Sequence, residues 1–220
     1  MDKPGHNYKI GISVSGKDGW HYRKYKKKGF GIMEFYPETD DEGNIIANLK
    51  ARKPGCDVAI NLRVSPGMDE EELSKSISST YSLLYDFADI FTIDVTQKNF
   101  DYIEDIIDAL VDFRLCYDTY KPLLVRLTNG LSEDCIDDML KICRMSGIDG
   151  VIAQNYSTIL EKVDRRYPVF AETTYANPRI VSEVFTSGAE AIIVHTYKPK
   201  CGFVRKSHKA CESAVKPKNE

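Results

Sequence analysis

Apolar residues fall along this chain in two rhythms that alternate from one end to the other. Eight short runs are rich in Val, Ile and Leu: Tyr8–Ser15, Phe30–Tyr36, Asp57–Val64, Asp89–Val95, Leu123–Thr128, Gly150–Asn155, Pro168–Thr173 and Ala189–Thr196. Apolar runs of this length are the pattern of strands buried on both faces. Between most of them the apolar residues recur with helical period. Leu73, Ile77 and Leu84 do so within Glu71–Phe87, and Ile103, Ile106, Ile107 and Leu110 within Tyr102–Phe113. The clearest unit runs from Lys121 to Asn155. Its first strand ends at Thr128, its helix opens at Ser132 with acidic followers and closes at Gly147, and its second strand follows. A strand–helix–strand of this length is a right-handed βαβ unit, so the sheet is parallel. Asn177–Ser187 predicts another short helix, with Asn177 as N-cap, Pro178 at the first helical position and Gly188 closing it.

Such alternation predicts the α/β class and a single (β/α)8 barrel with shortened loops over residues 1–212, followed by a flexible tail at 213–220. An open doubly wound sheet is the alternative, but no Gly-x-Gly-x-x-Gly follows any strand. Two units are trimmed. Pro37–Gly55 carries an acidic stretch with Glu38, Asp40, Asp41 and Glu42, and only a helical stub near Ile45–Lys53. Little chain separates Asn155 from Tyr167. Several strands close on polar residues, Arg126 and Thr128 in one, Gln154 and Asn155 in the next. In parallel α/β folds that edge binds ligands.

Composition narrows the function classes. The chain has 220 residues, 42% of them hydrophobic, enough for one good core. A net charge of -3 gives no field for nucleic acid. No stretch approaches the ~18–20 apolar residues of a membrane span, and the N-terminus lacks an apolar signal core, so the expectation is a cytoplasmic protein. Six cysteines without a CxxC pair read as free thiols. Asp101, Asp105, Asp108 and Asp112 suggest a metal site at first sight, but their spacing puts them on one outer helix face in solvent. The basic run Arg23–Lys28 reads as a solvated first helix. Trp20 and His21 follow Lys17 closely, and Trp20 reads as packing. His195, at the end of a strand, is a functional candidate.

Eight segments, in order and at strand ends, resemble the FMN-dependent dihydroorotate dehydrogenase family. Gly11–Lys17 resembles "GLAAGFDK", Gly29–Glu34 "GFGFVEVGT", Ile60–Leu62 the "NIG" strand, and Leu83–Asp89 "LYDYADYF". Ile93–Thr96 resembles "VNVSSPNT", Pro122–Thr128 "PxLLKIAPDLS", Gly150–Asn155 "DGIIATNTT", and Ser187–Ala189 with Val194–Thr196 "AGASLVQLYTG". The resemblance implies a barrel that holds FMN and oxidises dihydroorotate, a Ser or Cys base taking the proton while hydride passes to flavin. It places Lys17, Asn61, Arg126, Asn155 and Thr196 at cofactor positions, Asp94 and Asn99 at substrate positions, and Gln97 at the base.

The departures bear on chemistry. Gln97 is a neutral amide, too weakly basic to serve as a general base. Asp94 stands where the family has an orotate-binding Asn and repels an anionic substrate. Arg126 replaces a lysine that faces the flavin ring, and its fork is not equivalent. The Gly-Gly turn that cradles the flavin phosphate reads Ala171-Glu172-Thr173-Thr174, and the Thr-Gly after the last strand reads Thr196-Tyr197. The "NRMGFNN" segment is missing.

Three functions follow as expectations. The favoured one is a non-catalytic or altered-function protein with eroded catalytic and flavin-phosphate motifs. The second is an active FMN oxidoreductase of pyrimidine biosynthesis, or on a related substrate. The third is a different phosphate-ligand barrel. Lys17, Arg126 and His195 predict a small anionic ligand at the mouth, unless Glu172 and Asp94 pair with them and close it. A homodimer is compatible with the resemblance.

Overall fold

The computed structural model describes residues 8–15, 22–37, 46–47, 49–50, 55–62, 69–195, 199–200 and 202–215. Eight parallel strands close in sequence order, β1 to β8, each hydrogen-bonded to the next and β8 to β1. They are β1 (Lys9–Ser15), β2 (Ile32–Tyr36), β3 (Asp57–Leu62), β4 (Ile90–Val95), β5 (Leu123–Leu127), β6 (Gly150–Ala153), β7 (Val169–Thr173) and β8 (Ala191–His195). Helices alternate with them: α1 (Tyr22–Lys27), α2 (Glu70–Leu84), α3 (Ile103–Arg114), α4 (Glu133–Met145), α5 (Tyr156–Lys162), α6 (Pro178–Thr186) and α7 (Phe203–Val215). This is the predicted (β/α)8 barrel. Residues 46–47 and 49–50 are helical, within the expected stub.

The helices start and stop where local chemistry tells them to. Ser132 Oγ accepts from Cys135 N at the start of α4, and Asn177 Oδ1 accepts from Arg179 N at the start of α6. Gly147 ends α4 at φ 71, in the left-handed region, which lets Ile148 N reach back to Cys143 O at 2.9 Å. Buried faces match the stripes read from sequence: Leu73, Ile77 and Leu84 in α2, Ile103, Ile106, Ile107 and Leu110 in α3. Asp101, Asp105, Asp108 and Asp112 are all exposed.

Some boundaries differ. The helix expected over Glu71–Phe87 gives way to a 3-10 turn at Tyr85–Phe87, where Tyr85 turns inward to stack on Tyr117 at 3.7 Å. The tail expected from 213 is helical to Val215, because α7 packs on α6 and buries Phe203, Val204, Ser207 and Cys211. Residues 216–220 lie outside the described part of the chain.

Strand alternation divides the core in two. Outward side chains such as Ile12, Met33, Val58, Ile60, Ile93, Val125 and Val151 pack under the helices. Inward ones, Ile32, Ala59, Leu124, Ile152, Phe170, Ala191 and Ile193, form an apolar plug across the barrel axis.

Candidate functional site

Two residues further along each strand, the same parity brings polar side chains inward above the plug. Register pairs Asn61 with Thr92, Asp94 with Arg126, and His195 with Ser13. Glu34 follows Ile32, Arg126 follows Leu124, Glu172 follows Phe170, and His195 follows Ile193. The strands therefore build an ion cluster at their C-terminal ends.

Arg126 is its centre, 3% exposed. Its Nη2 donates to both oxygens of Glu34 at 2.5 and 2.6 Å, Nη1 to Asp94 Oδ1 at 3.0 Å, and Nε to Glu172 Oε2 at 2.8 Å. A ring of hydrogen bonds braces these carboxylates. Asn61 Nδ2 donates to Asp94 Oδ1 at 2.7 Å and to Thr92 Oγ1 at 3.0 Å, and Thr92 Oγ1 donates to Glu34 Oε1 at 2.9 Å. Tyr36 OH donates to Glu34 Oε2 at 3.3 Å, and its ring centroid lies 5.7 Å from the guanidinium carbon. His195 Nε2 sits 3.1 Å from Glu172 Oε1, an ion-pair distance off the line of a hydrogen bond. Beside the cluster lies a cavity of about 270 Å³, lined by Tyr36, Asp94, Arg126, Leu127, Thr128, Asn129, Gln154 and Glu172.

The cluster sets its own ionisation. Burial works against the Arg126 charge, yet Glu34, Tyr36, Asp94 and Glu172 hold its pKa well above the ordinary value. Burial also opposes the Glu172 anion, but His195 and Arg126 outweigh it and pull Glu172 down to about 2. For Asp94 burial wins, and its pKa is raised despite Arg126 and Asn61. Burial and Glu34 together push the Tyr36 phenol up. Among the described residues, no group of His, Cys, Asp or Glu is arranged to hold a metal ion. Arg126 bonds all three carboxylates, and Asp94 and Glu172 also line the neighbouring cavity.

Of the residues singled out in the sequence, Asn61, Asp94, Arg126, Glu172 and His195 meet in the cluster, with Asp94 and Glu172 paired to Arg126 and His195 beside Glu172. Lys17 and Thr196 lie outside the described residues. Asn155 is exposed, and its carbonyl accepts from Thr158 and Ile159 at the start of α5, while neighbouring Gln154 lines the cavity and accepts from Asn129 Nδ2 at 2.6 Å. Asn99 is buried within its own loop. Its Oδ1 accepts from Thr96 N and Oγ1, and its Nδ2 donates to the Asp94 carbonyl. It therefore shapes the β4–α3 connection and does not line the cavity. Gln97 is exposed and reaches only Cys135 Sγ, at 4.0 Å. Glu34, Thr92 and Tyr36 were missed. The available signal was parity: Glu34 and Tyr36 share Ile32's face of a buried strand, and a charge there needs a partner inside the barrel.

No family model matches the chain. Among curated proteins it is similar to the dihydroorotate dehydrogenase (quinone) of Natronomonas pharaonis, 28% identical over 129 residues, which is 54% of this chain and 35% of that protein. The same enzyme of Gloeobacter violaceus is 26% identical over 123 residues, 53% of this chain and 35% of that protein. That of Salinispora arenicola is 31% identical over 87 residues, 39% and 26% of the two chains. The matched stretch thus spans about a third or less of each relative's length. Among solved structures, a dihydroorotate dehydrogenase of Eimeria tenella in complex with ferulenol aligns with TM-score 0.71 at 12% identity, over 93% of this chain and 81% of that one. The aldolase QR15 aligns equally well, TM-score 0.71 at 13% identity over 95% and 98%. The structural likeness is one of fold. With the sequence likeness, it makes this chain a diverged, dihydroorotate-dehydrogenase-like TIM barrel.

Proposed function

We propose that this barrel has left flavin chemistry and is an altered-function, dihydroorotate-dehydrogenase-like protein whose mouth holds a small ligand rather than FMN. One observation carries the reading. The strand-five cation, a lysine facing flavin in the family it resembles, is here Arg126 held on three sides by Glu34, Asp94 and Glu172. A side chain so engaged is not available to a flavin ring.

The residues present do not fit the cofactor elsewhere either. A flavin phosphate is a dianion and is best held by free backbone N–H groups. Glu172, 10% exposed and with its pKa drawn down, lies within strand β7, paired with Ile193 of β8, so the segment that matches the family's Gly-Gly turn is strand through Thr173 and carries an anion. The cavity of about 270 Å³ lies below the ~300–1,000 Å³ usual for drug-sized ligands. At the base position Gln97 lies exposed, away from the cavity lining.

An absorbance spectrum with an FMN titration tests this reading. The purified protein should be colourless and should not take up FMN. Dihydroorotate turnover with several electron acceptors should be undetectable, since loss of the base alone removes ~10²–10⁴ in rate. A yellow protein, or turnover near ~1–10³ s⁻¹, would favour the active flavin oxidoreductase instead.

A further inference from the structure

Hydrogen-bond donors run short inside the barrel mouth. Arg126 makes four hydrogen bonds, one from Nε, one from Nη1 and two from Nη2, all of them to Glu34, Asp94 and Glu172. Glu34 is well supplied, by Arg126, Thr92 and Tyr36. Asp94 is not: the bonds from Asn61 and Arg126 both fall on Oδ1, and Oδ2 has no protein donor among the described residues. Asn61 is fully buried, and its Oδ1 has no donor among the described residues. Turning that amide over would set its oxygen against Asp94 Oδ1, acceptor on acceptor, so the orientation is fixed and the lone acceptor remains. Three carboxylates share one guanidinium, and His195 Nε2 lies 3.1 Å from Glu172, so the carboxylate left with an unfilled oxygen toward the cavity side of the cluster is Asp94.

We propose that the mouth binds a small organic cation, a primary ammonium or amidinium of a few heavy atoms, with Asp94 and Glu172 as its carboxylate partners. This rests on the flavin-free reading of the same site. The cavity beside the cluster has the volume for such a molecule, and both carboxylates line it. Leu127 and the Tyr36 ring give the carbon chain an apolar wall and an aromatic face that attracts cations. Burial lifts the Asp94 carboxyl above its usual range even beside Arg126, so a second cation in the cavity would favour its ionised form. A small anion fares worse. It would find Arg126 already engaged by three carboxylates and would be repelled by Asp94 and Glu172.

The test is a thermal midpoint measured with millimolar propylammonium chloride, against sodium chloride at equal ionic strength and against 1-propanol, its neutral counterpart. Propylammonium at ten times its dissociation constant should raise the midpoint by about 3–6 °C, and 1-propanol should not. Asp94→Asn keeps an acceptor for Arg126 and Asn61 and should abolish the shift. No rise with propylammonium, an equal rise with 1-propanol, a rise unchanged in Asp94→Asn, or a rise with sodium phosphate in its place overturns the proposal. Should Asp94→Asn fail to fold, the ammonium–alcohol comparison on the unaltered protein still decides it. The flavin spectrum is read separately, so a yellow protein ends the flavin-free reading whatever the amine does.

Discussion

At the residue scale, Arg126 is the side chain on which the site turns. Removing its guanidinium leaves Glu34 fully buried without its counter-charge, and Asp94 and Glu172 largely buried with His195 alone beside Glu172. Breaking a buried pair from one side costs about 3–5 kcal/mol, and Arg126→Met should lose that much in urea denaturation. A loss under about 1 kcal/mol would mean that the carboxylates are already neutral or hydrated. Glu172 predicts the acid limb of the stability curve. Its folded pKa of about 2 lies below the ordinary 4.5, so its contribution is present above pH 4.5 and lost as pH falls toward 2. The difference is on the order of 3 kcal/mol. Asp94 has the opposite sign, since its raised pKa means that stability falls as pH rises through it. Stability measured from pH 2 to 5 should therefore be steeper in the natural protein than in Glu172→Gln. Parallel curves would show that Glu172 is not the depressed group.

At the element scale, β6 shows how closely the strands are fitted. A methyl group at Gly150 would lie 2.6 Å from the Pro168 carbonyl oxygen, just before β7, and 3.0 Å from Pro168 Cβ. The backbone contact has no flexible end to move aside. Gly150→Ala should cost about 1–3 kcal/mol, read as a lowered denaturation midpoint with an unchanged far-ultraviolet spectrum. A neutral substitution would mean that β6 and β7 can spread without losing their register. Element boundaries were legible wherever a cap carries the signal, as at Ser132, Gly147 and Asn177. They were not legible at Tyr85–Phe87, because a 3-10 turn there answers to the stacking of Tyr85 on Tyr117, a partner 32 positions away in sequence. Helix α7 was also missed. Its Phe203, Val204, Ser207 and Cys211 form a sparse stripe, with Ser and Cys where Leu or Ile would mark a core face.

At the scale of the whole molecule, the last helix packs where the barrel closes on itself. α7 covers α6, and His208 Nε2 lies 3.2 Å from the Tyr8 carbonyl at the entrance to β1. A chain ending at residue 202 should expose the α6 face and lose cooperative unfolding, whereas one ending at 215 should melt as the full chain does. Equal melting of both would show that α7 is dispensable. The sequence by itself determined the alternation of strands and helices, the parallel sheet and the closed barrel, because these follow from local apolar period, caps and the handedness of βαβ units. It determined the family likeness, and which residue types stand at the strand ends. It also held both outcomes for the mouth, an open basic pocket or internal pairing, without choosing between them. Only the tertiary structure chose. Glu34, Asp94, Arg126 and Glu172 lie on four different strands, and the distances that decide whether charges neutralise or attract a ligand exist only once the sheet has closed and parity has turned them toward one axis.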